Sequence, residues 1–79
     1  MLKRIEGRIG EWNEFVEFRD DKSKIRFIAQ KSKHNDTSVW YVYRCNFTRD
    51  IIETVDFSYH KELAVDKALK AAICELETK

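Results

Sequence analysis

Residues 58–79, SYHKELAVDKALKAAICELETK, decide the fold. Val65, Ala68, Leu69, Ala72, Ile73 and Leu76 recur at three- and four-residue spacing, which gathers them on one helical face of about 140°. The spacing predicts a helix over residues 59–77, with the Ser58 hydroxyl as N-cap for a free amide of the first turn. Ala64, Ala68, Ala71 and Ala72 favour the helix and keep one side of it low, so that it can approach a sheet closely. Leu63 falls opposite the apolar face and is left for a loop or a partner. His60 and Lys61 put positive charge at the helix start, against the macrodipole, where an anion could be received.

Upstream of the helix the chain alternates with the period of strands, over residues 2–9, 14–19, 24–31, 38–47 and 51–57. Polar turns separate them, the longest running from Ser32 to Thr37. The expected fold is α+β, a single domain over residues 1–79. It is one antiparallel sheet of four to five strands in a β-meander, followed by one C-terminal helix packed on one face. Alternation groups Val16 with Phe18 (and Trp12), and Ile25 with Phe27 and Ala29. In the fourth strand it sets Val39, Tyr41, Tyr43, Cys45 and Phe47 against Trp40, Val42, Arg44 and Asn46. With Val55 and Phe57 taken to continue the first of these rows as the apolar face, the far face shows Phe15, Ile28, Trp40 and Val42 among Lys24, Arg26 and Arg44.

One helix about 10–12 Å wide cannot cover five strands spaced about 4.8 Å apart. Either the sheet curls or something else covers it, and a second copy of the chain, forming a homodimer, is one such cover.

Composition narrows the function classes. The chain has 79 residues, 43% of them hydrophobic and 37% charged, with a net charge of +1, which fits a small globular domain without overall polyelectrolyte character. Cys45 and Cys74 match neither a disulfide framework nor a paired-cysteine metal site and are expected as reduced thiols of a cytoplasmic protein. The first eight residues lack the apolar core of a signal peptide, and no apolar run approaches a membrane span. His34 and His60 are isolated, and the two glycines, Gly7 and Gly10, form no phosphate loop. No catalytic residue, metal site or cofactor is expected, and the chain is read as a non-enzyme.

Two functions remain. The leading one is a small protein-binding module that occupies the surface of a host or cognate protein, as an inhibitor or accessory protein of the kind bacterial viruses use against host defences. Its expected contacts are Trp40, Phe15, Ile28, Val42 and Leu63. The alternative is RNA or single-stranded nucleic-acid binding through a basic hairpin and an aromatic sheet face, with Lys22, Lys24, Arg26, Lys31, Lys33, Arg44, His60 and Lys61 on phosphates. Residues 38–76, two strands followed by Ser58, Lys61, Glu62, Ala64, Ala68, Leu69, Ala71 and Ala72, resemble the second half of a double-stranded-RNA-binding domain. That family's N-terminal helix and glycine-proline loop have no counterpart here, and its run of lysines is reduced to Lys61. The resemblance implies phosphate contact from His60, Lys61 and Lys67.

Overall fold

The computed structural model describes residues 2–10, 13–34 and 37–77. Five strands, β1 (Leu2–Ile9), β2 (Asn13–Asp20), β3 (Ile25–His34), β4 (Thr37–Asn46) and β5 (Ile51–Ser58), form an antiparallel meander in sequence order. Helix α1 (Lys61–Ala72) crosses one face and continues into a wider, π-helical turn, Ile73–Glu77. The α+β architecture is the one the alternation and the helical spacing predict.

Turn chemistry sets the hairpins. Gly10, at φ 73, takes the left-handed conformation that ends β1. Between β2 and β3, the Asp20 carboxylate accepts the Lys22 amide at 3.0 Å and the Ser23 hydroxyl accepts the Ile25 amide at 3.0 Å. After β4, the Asn46 side-chain oxygen accepts the Thr48 and Arg49 amides, and Asp50 adopts φ 55 before β5 begins.

Register decides which residues share a face. On the helix side the rungs read Glu6–Val16–Ala29–Val42–Asp56 and Arg4–Phe18–Phe27–Arg44–Glu53, with Lys31–Trp40–Ser58 beyond them. The core is therefore Val16, Phe18, Phe27, Ala29, Trp40 and Val42 against Ala64, Val65, Ala68, Ala72 and Leu76. Trp40 and Val42, expected on the uncovered face, lie under the helix at 4% and 0% exposure. The β3–β4 ladder runs to the His34↔Thr37 pair, in place of a long turn from Ser32, and so matches odd-numbered β3 residues with even-numbered β4 residues. That parity puts Ala29 beside Val42 and carries the Val39, Tyr41, Tyr43 and Cys45 row to the other side.

The helix differs from expectation at both ends. Its N-cap is His60, without a side-chain cap bond, while Ser58 closes β5 and its hydroxyl accepts the His60 amide at 3.2 Å. Ala64, Ala68 and Ala72 are fully buried and centre the contact face on the alanine seam. Ile73, about 80° from Val65 on the helical wheel, falls at the fringe of that face and is exposed. The π-turn carries Leu76 into the core and Glu75 to Arg44.

Two measurements check this arrangement. Trp40→Ala is expected to cost about 3–5 kcal/mol in urea unfolding, much of the stability of a domain this size, whereas Tyr41→Ala leaves most of it. Four carboxyls lie below their ordinary range: Glu6 beside Arg4, Asp20 on the Lys22 amide, Asp21 beside Lys3, and Asp56 on the Phe57 amide and Lys67. A carboxyl lowered in the folded state stabilises fully above its unfolded value and loses that contribution as pH falls through the folded one. The melting temperature is expected to hold above about pH 5 and decline below about pH 4.

Candidate partner-binding surface

The sheet face opposite the helix is uncovered by any element of the chain among the described residues. Three rungs cross all five strands there: Gly7–Phe15–Gln30–Tyr41–Phe57, Ile5–Glu17–Ile28–Tyr43–Thr54 and Lys3–Arg19–Arg26–Cys45–Ile52. The first two carry most of the aromatic and aliphatic side chains. The third carries three cations.

Local packing shapes this face. The Phe15 ring lies over the backbone of Gly7, its tip 2.7 Å from where a β-carbon would stand, so glycine is what lets the ring lie flat on the edge strand. Tyr41 and Tyr43 share one row, their rings 6.1 Å apart and tilted by 33°. Burial, then Tyr41 and Cys45, push the Tyr43 phenol above its usual range. Towards β5 the cover thins. Ile52 is 70% exposed and Phe57 51%, and every β5 residue except Ser58 is exposed. A β-bulge at the Val42/Tyr43 step leaves Val55 without a register partner on this strand. Phe57 packs edge-on against Tyr59, which is also exposed.

Next to these rings sits a charged corner. Glu17 is buried, with its Oε2 3.7 Å from Arg19 Nε and 3.7 Å from Arg26 Nη1. Arg26 stacks on the exposed Phe47 ring at 4.6 Å. Burial first, and Glu17 second, raise the Cys45 thiol, with Arg26 opposing in part. Cys45 is thus a protonated, packed thiol, while Cys74 is exposed.

Of the residues expected in protein contact, Phe15 and Ile28 lie on the open face and Leu63 is exposed on the outer side of the helix. Trp40 and Val42 are in the core and unavailable to a partner without unfolding. The residues expected on phosphate are divided between the two faces. Lys22 and Lys24 are exposed in the β2–β3 turn, and Arg26 is on the open face. Lys31 and Arg44 pair with Trp40 and Phe27 on the helix side, and Lys33 follows with the same parity.

Several of these cations are already engaged. Arg44 makes a bidentate bond to Glu75, Nη2 to Oε2 at 2.8 Å and Nε to Oε1 at 2.9 Å, which raises its pKa further. Lys61 meets Glu14 at 3.3 Å and lies over the Trp40 ring at 5.7 Å. Lys67, included by the RNA-binding resemblance, donates to Asp56 at 3.1 Å and to the Phe57 carbonyl at 3.2 Å. His60 is exposed.

Reading the strands singly missed Ile5, Tyr41, Tyr43, Ile52 and Phe57 as open-face residues, and Arg19 and Phe47 as members of the corner. Taking Asn35-Asp36 as a hairpin tip would have set His34 opposite Thr37 and recovered the correct β4 row.

Among the described residues no group of three or more acidic, histidine or cysteine side chains is placed to hold a metal, and no helix is long and apolar enough to cross a membrane. No protein-family model matches the chain, and neither a curated protein nor a solved structure matches it.

The two thiols give a direct check on the packing of the charged corner. With a thiol reagent at pH 8 the folded chain is expected to release one equivalent rapidly, from Cys74, and the second only on unfolding. A Cys74→Ser variant is expected to remain unreactive until denaturant is added.

Proposed function

We propose that the chain is a non-enzymatic protein-binding module that docks a partner on its open sheet face. The observation that carries this reading is the uncovered band formed by Ile5, Phe15, Ile28, Tyr41, Tyr43, Ile52 and Phe57, which runs from β1 to β5. Four inter-strand spacings of about 4.8 Å make it about 19 Å wide. Towards β5 the band opens into the exposed Ile52, Val55, Phe57 and Tyr59, and exposed apolar side chains gathered in this way are characteristic of a contact surface. The free β5 edge extends the same surface with Ile52, Val55 and Phe57, and its unpaired backbone is available for strand addition.

Protein fits this face better than nucleic acid. The Tyr41 and Tyr43 rings are half-buried, and Ile5, Ile28 and Ile52 between and beside the rings of the band offer a base nothing to stack on. The basic side chains also fall on two opposite faces, leaving no continuous phosphate track. Blocking a partner's surface needs contact area and no chemistry, and an inhibitor or accessory protein of the kind made by bacterial viruses is one example. Cys45, a thiol packed in the sheet, accords with a cytoplasmic setting.

Affinity capture from nuclease-treated cell extract tests the reading. Phe57→Asp and Ile52→Asp are each expected to reduce partner recovery at least tenfold, with Leu63→Asp close to the unsubstituted chain. Loss with Leu63→Asp alone would move the contact to the helix, and loss on nuclease treatment alone would favour nucleic acid.

A further inference from the structure

Arg19 and Arg26 stand directly opposite each other on β2 and β3, an arrangement of like charges that works against the sheet. Glu17, one rung away, is the acid between them. Its Oε2 lies 3.7 Å from each arginine and accepts no hydrogen bond, and Arg19 Nε makes none either. One carboxylate therefore faces two guanidiniums and leaves the trio with a net positive charge.

The pair opens on a recess of about 350 Å³ that also includes Lys24 and Phe47. Two acids line it, but Asp20 accepts the Lys22 amide and Asp21 pairs with Lys3 at 2.6 Å. Phe47, stacked on Arg26, limits the orientations of that guanidinium. The outcome is a half-exposed, oriented cation pair whose apolar surroundings are Ile28, Tyr43 and Ile52 on the same face.

We infer that this recess is a carboxylate-recognition site, receiving an Asp or Glu side chain of the protein partner between Arg19 and Arg26. The inference rests on the open-face docking reading and gives that partner its chemistry: an acidic residue flanked by apolar ones. A single rung of cations bordered by aliphatic groups matches one carboxylate, whereas a nucleic-acid backbone would require the cations to continue across the face. A second copy docking through the same face lacks the complement. Among the described residues in the three open-face rungs Glu17 is the one acid, and it is buried.

The test is titration of the full chain at low salt with an end-capped triglutamate peptide, read from the arginine Nε–Hε resonances. The Arg19 and Arg26 signals are expected to move together and saturate, with the Arg4 signal on the opposite face unmoved. Arg26→Lys, which keeps the cation but loses the two-pronged donor geometry, is expected to weaken the peptide at least fivefold. Arg19→Gln/Arg26→Gln, confirmed as folded by its backbone spectrum, is expected to abolish saturation. Absence of a saturable shift, or an undiminished one in the double variant, would overturn the site, and so would tighter saturation by inorganic phosphate than by the peptide. Because the titration needs no partner, its failure beside a capture that Phe57→Asp still abolishes would remove the carboxylate site and leave open-face docking standing.

Discussion

The pairing of Ala29 with Val42 is the constraint from which the two faces of this molecule follow. Side chains along a strand alternate with a period of two, so a shift of one residue in that register would exchange every β4 side chain between the core and the open face. With the observed register, Trp40 and Val42 fill the space under the helix. The helix can reach them because Ala64, Ala68 and Ala72 present almost no side-chain height along its buried seam. Low helix and tall sheet residues are one packing solution, and neither half serves without the other.

The same choice sends Tyr41, Tyr43 and Cys45 outward and completes the apolar rungs of the open face. Phe15 over Gly7 anchors one side of that face, and the thin cover at Ile52 and Phe57 marks the other. The helix side, by contrast, closes its periphery with ion pairs, Arg44 to Glu75, Lys61 to Glu14 and Lys67 to Asp56. Such half-exposed pairs contribute about 0–1 kcal/mol each, so their effect is to orient the helix and consume cations more than to hold the fold. On the open face, Arg19 and Arg26 stand opposite each other at one corner, beside the apolar band.

Much of this was legible in the amino-acid order and some of it was not, for definite physical reasons. Alternation and helical spacing are local properties, and they located five strands, the helix and the outward placement of Phe15, Ile28 and Leu63. Cross-strand parity is not local to any strand. Both rows of β4 are apolar enough to be buried, so composition could not choose between Trp40 with Val42 and Tyr41 with Tyr43; the hairpin length chose. Long-range partners were equally hidden: Arg44 and Glu75 are 31 residues apart, and an arginine already bound to a carboxylate reads in the sequence like a free one. Ser58 has the chemistry of a helix cap but spends its hydroxyl on the strand-to-helix corner, one step before the helix begins.

Which β4 row the helix covers decides both faces of the molecule. Nuclear Overhauser contacts from the Trp40 indole protons measure this directly. The structure predicts cross-peaks to the methyl groups of Ala64, Val65 and Ala68, with Tyr41 ring protons reaching Phe57 and showing none to the helix. Indole cross-peaks to Phe15 or Ile28, together with Tyr41 contacts to the helix alanines, would reverse the two faces and contradict it.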